Sequence, residues 1–170
     1  MPPVTVTRTY LRLEAPGSLR AAASHDPAVV VRQLQPCPVA RARQLYELVG
    51  AEWHWRDRNT WSDEQLAAHL ASRDVAVWEM TRDGDAAGYF ELARREDGSV
   101  EIVYFGLARA HFGHGLGKYL LTRAAEEAWR MGAQSVWLHT CTLDGPAALP
   151  NYLARCFEPF REERYETDIP

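Results

Sequence analysis

The chain has 170 residues, of which 46% are hydrophobic and 25% are charged. A length close to the ~150 residues of a typical domain predicts one domain over residues 1–170. Nineteen Lys and Arg against 23 Asp and Glu give a net charge of −4, which argues against a nucleic-acid partner. No apolar run approaches the ~20 residues of a membrane span, and the first residues start no secretion signal. We therefore expect a cytoplasmic protein without a membrane partner.

The first part of the chain predicts two strands followed by two helices. Alternation of apolar residues with small or charged ones predicts a strand over residues 4–13, and a second short strand covers 29–34. Apolar residues at helical spacing predict a helix over 39–53. Ser62, followed by acidic residues and a glutamine, is typical of a helix N-cap, so the next helix is expected to run to about residue 72.

The middle of the chain predicts three antiparallel strands and a long helix. Asp-Gly pairs separate the strands, as in a meander. The strands cover residues 75–81, 88–93 and 99–107. A glycine-rich stretch at 112–117 then opens a helix that Gly132 closes.

The last part predicts a strand over 135–142, a short helix over 146–155 and one or two edge strands over 157–165. The complete order is ββααβββαβαβ. This order is typical of an α+β fold built around one sheet.

The glycine-rich stretch is a candidate phosphate site, because backbone N–H groups at the start of a helix attract anions. A P-loop does not fit, since Phe112 and Tyr119 stand where glycine and serine or threonine are required. A dinucleotide fingerprint does not fit either, since Lys118 or Leu120 stands at its third glycine. A pyrophosphate cradle of the pattern R/Q-x-x-G-x-G remains.

Gly115 and Gly117 occupy the two glycine positions of that pattern, after the strand 101–107 and before the helix. The segment 148–157 follows an A-x-x-x-Y-x-x-x-G-F element, with Cys156 in place of its glycine. In these motifs, over roughly residues 75 to 160, the chain resembles the GNAT superfamily of acyl-coenzyme A dependent N-acyltransferases. The resemblance implies a mixed, mainly antiparallel sheet flanked by helices on both faces.

The resemblance also implies acetyl-coenzyme A (acetyl-CoA) as cosubstrate. The expected cofactor-binding residues are Phe105, Gly106, Leu107, Ala108, Phe112, Gly113, His114, Gly115, Leu116, Gly117, Lys118 and Asn151. The chain departs from the family at Phe112, where Arg or Gln is usual, and at Gly145, where Asn is frequent. Phosphate contacts are therefore expected from the backbone, His114 and Lys118.

Acyl transfer to an amine needs a base, an oxyanion donor and a proton for the departing thiolate. Glu101 lies in an apolar strand, where desolvation would raise its pKa toward that of a useful base, and it matches the glutamate of the histone acetyltransferase branch. The alternative is a solvated carboxylate near a strand end. His139 is the rival base, with an ordinary pKa of ~6.5, or else a structural histidine.

Tyr152 corresponds to the family's tyrosine, whose hydroxyl protonates the thiolate; the alternative is a packing aromatic. The oxyanion donor is expected to be a backbone N–H near Gly106 and Leu107, where the glycine favours a bulge.

Aromatic and charged residues cluster between the first two predicted helices, a segment that flanks the acceptor cleft in the family. The expected substrate-binding residues are Trp53, Trp55, Arg56, Trp61 and Tyr104. The alternative is that the tryptophans cap the core. Arg56 and Arg58 could anchor a carboxylate, which would favour an amino acid or short peptide over a polyamine as acceptor.

Neither metals nor disulfides are expected. His111 and His114 lack an H-E-x-x-H pattern and a spaced carboxylate. Cys37, Cys141 and Cys156 form neither a C-x-x-C pair nor an even set, so all three are interpreted as reduced thiols.

Together these observations predict an N-acetyltransferase that moves an acetyl group from acetyl-CoA to a primary amine of a small molecule, amino acid or peptide. Transfer is expected to be direct, in a ternary complex. The alternatives are a catalytically silent acyl-CoA binding module of the same fold, and an interaction protein without coenzyme affinity. Open edge strands permit pairing into a homodimer.

Overall fold

The computed structural model describes residues 2–169, which contain seven strands and four α-helices. The strands are β1 (Val4–Leu13), β2 (Val29–Gln33), β3 (Val75–Arg82), β4 (Asp85–Arg94), β5 (Val100–Leu107), β6 (Val136–Cys141) and β7 (Glu158–Thr167). The helices are α1 (Val39–Gly50), α2 (Asp63–Ala71), α3 (Leu116–Arg130) and α4 (Ala148–Ala154). This order confirms the predicted ββααβββαβαβ, with one strand at the carboxyl-terminal end.

All seven strands form one sheet in the order β2-β3-β4-β5-β6-β1-β7. Neighbouring strands are antiparallel except for β5 and β6, which run parallel. The first strand of the chain, β1, lies between β6 and β7. The sheet is therefore mixed and mainly antiparallel, as the family resemblance implies.

Apolar side chains cover both faces of the sheet. On one face α3 contributes Leu120 and Leu121 to a core that contains Phe90 and Leu92 of β4. On the other face α1 packs against a set that contains Tyr89 of β4. Successive residues of a strand point to opposite faces, so β4 serves both cores. Helices flank the sheet on both faces, as predicted.

The predicted helix over 39–53 ends earlier, at Gly50, and a 3-10 turn covers Ala51–Trp53. A Cβ at Gly50 would lie 2.5 Å from the Trp55 ring, so the absent side chain lets the indole fold back against α1. His54 has a φ of 59°, a left-handed conformation that reverses the chain there. These features bring residues 53–57 back toward the sheet.

The strands β5 and β6 separate soon after they begin. They pair only at Val100 with Val136 and at Glu101 with Trp137. Beyond these pairs nothing of β6 lies in register with β5, and a cleft opens between them. This cleft positions the candidate site.

The bulge expected near Gly106 lies instead at Val103, between the partners of Glu91 and Leu92. Gly106 pairs regularly with Tyr89, so the predicted position is wrong. The glycine has a packing role, because a Cβ there would lie 2.5 Å from Cγ1 of Val49.

Candidate active site

The cleft between β5 and β6 forms a cavity of about 890 Å³. This volume lies within the roughly 300–1,000 Å³ of small-molecule sites. Its walls come from α1 and the turn after it, β5, the loop before α3, β6, α4 and the strands β1 and β7. The lining includes residues 53–57, 102–107, 112, 113, 115–118, 138, 139, 141, 143–148, 151, 152, 165 and 167–169, together with Arg8 and Val49.

The loop before α3 forms part of the cavity wall. Gly115 has a φ of 71° and precedes Leu116, the first residue of the helix, and no side chain caps this terminus. The first-turn N–H groups of α3 therefore lack an intrahelical partner and, with the helix dipole, form an anion site. A Cβ at Gly115 would lie 3.3 Å from Cε of Lys118, so the Lys118 side chain passes over the loop.

The side chain of Asn151 links α4 to this loop. Its Nδ2 donates a hydrogen bond to the carbonyl oxygen of Gly117 at 3.1 Å. The bond holds the two helices together where both line the cavity.

Tyr152 lies on α4 with its ring between those of Phe105 and Phe157, at centroid distances of 6.1 and 6.3 Å. The residue is buried and lines the cavity. Burial, with a smaller effect of the Asp144 charge, raises the pKa of its hydroxyl above the ordinary value. The hydroxyl is protonated at neutral pH, as an ordinary tyrosine hydroxyl is, and the raised pKa makes it a weaker acid than an ordinary tyrosine.

Cys156 stands at the position where the family motif has glycine, and it lies in the turn after α4. Cys156 has a φ of 73°, in the left-handed region, and the N–H of Phe157 bonds to the carbonyl of Tyr152 at 3.0 Å. The backbone conformation is retained with a side chain present.

His139 of β6 lies on the cavity wall beside Tyr10, with ring centroids 5.5 Å apart. The His139 side chain is exposed to the cavity. Partial desolvation by the surrounding protein, with the positive charge of Arg8, lowers the pKa of His139 below its ordinary value, although nearby carboxylates oppose this effect. The imidazole is therefore neutral at pH 7 and can accept a proton.

Glu101 is buried and its carboxylate forms an ion pair with Arg95. It does not line the cavity. A base role for Glu101 would require the carboxylate to act through an intermediate group.

Three further predicted site residues lie outside the cavity lining. Ala108 is buried, and its N–H donates to the carbonyl oxygen of Ala87. His114 is exposed on the loop before α3. The Trp61 ring packs against the guanidinium of Arg58, whose Cζ lies 4.4 Å from the ring centroid. The structure brings the other predicted cofactor and acceptor residues together, among them Trp53, Trp55, Arg56 and Tyr104.

Arg58 is not free to anchor a carboxylate. It is buried, and its two terminal nitrogens donate to the two carboxylate oxygens of Glu91 at 3.0 and 2.7 Å. His69 joins the same pair at 3.0 Å from Glu91. The expectation that Arg58 contacts an acceptor is wrong, because a buried carboxylate of β4 holds it.

Arg8 and Tyr165 also line the cavity, and sequence reasoning missed both. They reach it because β1 lies between β6 and β7. No local motif marks either residue, since the placement of β1 depends on pairing between distant segments.

No group of three or more His, Cys, Asp and Glu side chains in residues 2–169 could hold a metal ion. In the same part of the chain, no helix is both long and apolar enough to cross a membrane.

The comparisons with known proteins agree with this geometry. The sequence model of the Acetyltransferase (GNAT) family matches residues 42–156. This match covers more than half of the chain, and the chain belongs to this family. No curated protein matches it in sequence.

Solved structures share the fold. A GCN5-related N-acetyltransferase from Kribbella flavida has a TM-score of 0.66 at 19% identity, covering 90% of this chain and 54% of the other. An aminoglycoside acetyltransferase from an uncultured soil metagenomic sample scores 0.65 at 17%, covering 78% and 90%. The ribosomal-protein-S18-alanine N-acetyltransferase from Escherichia coli scores 0.57 at 17%, covering 74% and 75%. The chain thus spans about half the length of the Kribbella flavida protein.

Proposed function

We propose that this chain is an N-acetyltransferase that transfers the acetyl group of acetyl-CoA directly to a primary amine of a small molecule, amino acid or peptide. One observation carries the proposal. A single cavity joins an anion site at α3, the hydroxyl-bearing Tyr152 and the aromatic segment 53–57. A donor bound at the anion site and an acceptor bound beside segment 53–57 would meet in this cavity, between β5 and β6.

The loop 112–118 is proposed to hold the coenzyme diphosphate through backbone N–H groups, with Lys118 adding a positive charge. Acetyl-CoA supplies the acetyl group as a thioester. The unpaired edge of β5 from Ile102 to Leu107 faces the cavity, so its backbone N–H groups are the proposed donors to the thioester oxygen.

His139 is the base that we propose, because it lines the cavity and is neutral, whereas Arg95 pairs with Glu101. His139 takes a proton from the acceptor ammonium, and the amine nitrogen then forms a bond to the acetyl carbon. As the carbon–sulfur bond breaks, the Tyr152 hydroxyl gives its proton to the departing thiolate. The amide nitrogen loses its second proton to the resulting tyrosinate, and His139 gives the first proton to solvent.

We also propose a cellular location, a class of acceptor and an oligomeric state. The three cysteines are free thiols, which supports a cytoplasmic location. The net charge of −4 supports an acceptor other than nucleic acid. The outer strands β2 and β7 leave sheet edges through which a homodimer could form.

Transfer is tested by incubating the protein with acetyl-CoA and a panel of primary amines, while thiol release and acetylated product are measured together. We expect equal amounts of thiol and product with at least one amine. Binding of acetyl-CoA without product from any amine would instead support the catalytically silent binding module.

The pH dependence of kcat/KM tests the choice of base. A neutral His139 is needed, so the rate is expected to rise with pH through a pKa below the ordinary histidine value. Arg8→Gln removes a charge that lowers this pKa, so the rising limb is expected to move to higher pH. His139→Gln should abolish the limb, whereas Glu101→Gln should leave it in place; the reverse pattern would make Glu101 the base.

A further inference from the structure

Beside segment 53–57, the cavity wall combines one carboxylate with aromatic rings. Asp57 lines the cavity together with Trp55 and Tyr104, whose ring centroids are 5.1 Å apart. The hydroxyl of Tyr104 donates to Oδ2 of Asp57 at 2.6 Å, and the hydroxyl of Tyr46 donates to Oδ1 at 3.0 Å. The carboxylate is therefore held in one position.

Asp57 is charged at neutral pH. Partial desolvation opposes ionisation, but the hydrogen bonds from Tyr104 and Tyr46 and the charge of Arg58 together lower the pKa of its carboxyl. A carboxylate has about four acceptor positions, of which the two tyrosines use two and the backbone N–H of Asp57 itself uses a third. The exposed side of Asp57 can therefore still accept a hydrogen bond from a ligand in the cavity.

Hydrogen bonds to neighbouring elements hold the segment that carries Asp57 in place. The next residue, Arg58, is bound by Glu91, and Arg43 donates to the carbonyl of Trp61 at 2.8 Å. Because these bonds hold the segment in place, little ordering of the segment is needed when an acceptor binds.

We infer that Asp57 determines acceptor specificity by binding a second cationic group, so that the preferred acceptor is a diamine or polyamine rather than an amino acid. This inference rests on the proposed transfer to amines. One ammonium would lie at the thioester and lose its proton, while the other would bind the Asp57 carboxylate through a charge-assisted hydrogen bond. The faces of Trp55 and Tyr104 favour a cation at the same place.

Arg56 is the competing candidate, since it lines the same cavity and would favour an acceptor with a carboxylate. Over residues 2–169, no hydrogen bond or ion pair holds its guanidinium, whereas two tyrosines hold Asp57. Amines that carry either a second ammonium or a carboxylate at the far end of the chain distinguish a role of Asp57 from a role of Arg56.

The probes are 1,5-diaminopentane, 1-aminopentane and 6-aminohexanoate, which end in an ammonium, a methyl and a carboxylate group. Calorimetry gives their affinities for the protein with and without bound coenzyme A. We expect the diamine to bind at least about tenfold more tightly than 1-aminopentane. Asp57→Asn should abolish this preference, while Asp168→Asn, which removes a carboxylate elsewhere on the cavity wall, should retain it.

Three results would overturn the inference: equal or undetectable affinities, tighter binding of 6-aminohexanoate, or a diamine preference that survives Asp57→Asn. The acetyl-CoA affinity of each variant, measured separately, shows that the variant is folded. If the parent protein did not bind acetyl-CoA, the proposed function itself would be contradicted. Coenzyme binding without diamine preference would contradict only the role of Asp57.

Discussion

Replacing Gly117 with aspartate is expected to weaken acetyl-CoA binding by about 100-fold or more, since like charges ~4 Å apart near a protein surface repel by several kcal/mol. Gly117 lies in the first turn of α3, where the N–H groups are proposed to face the diphosphate. The new carboxylate would compete for those groups and repel the phosphates. Calorimetric titration with acetyl-CoA measures the loss.

Two matched variants separate charge from bulk at this position. A Cβ at Gly117 would lie 3.7 Å from Asn151 and from Leu107, which is ordinary contact, so Gly117→Ala should fold normally. Gly117→Asn has nearly the shape of the aspartate variant but no charge. We expect the asparagine variant to bind much better than the aspartate variant. Equal binding by parent and aspartate variant would place the diphosphate elsewhere.

The second large effect is expected for Tyr152→Phe, which should lower kcat by about 100-fold or more because general acid catalysis contributes that much. The Tyr152 ring is held between Phe105 and Phe157, so removing the hydroxyl leaves the packing intact. The affinity for acetyl-CoA should therefore be unchanged. Steady-state kinetics and calorimetry measure the two quantities independently.

Tyr119→Phe is the matched control, because it removes a tyrosine hydroxyl from α3 outside the cavity lining. It should retain the parent kcat. If Tyr152→Phe also retained it, Tyr152 would be a packing residue and the thiolate would take its proton from another donor.

Local signals in the sequence predicted the elements well. Ser62 and Gln65 form the reciprocal cap expected at the start of α2. Asp83 and Gly84 both have positive φ, as the Asp-Gly turn between β3 and β4 requires. Such features depend on residues a few positions apart, so the sequence displays them directly.

Features that depend on distant segments were not predictable in this way. The pairing of Arg58 with Glu91 and the insertion of β1 beside β6 both join residues far apart in the chain. The bulge at Val103 was expected at Gly106, because a glycine in a strand has several uses and only the packing of Val49 shows which one applies. Glu101 looked like a cavity base because the sequence does not show its ion pair with Arg95.

The central claim is that the cleft between β5 and β6 binds acetyl-CoA for transfer to an amine. A crystal structure of the complex with acetyl-CoA tests it most directly. We expect the diphosphate within hydrogen-bond distance of backbone N–H groups in residues 113–118 and the thioester between the two strands, beside the Tyr152 hydroxyl. Coenzyme bound outside this cleft, or a thioester remote from both Tyr152 and His139, would contradict the account.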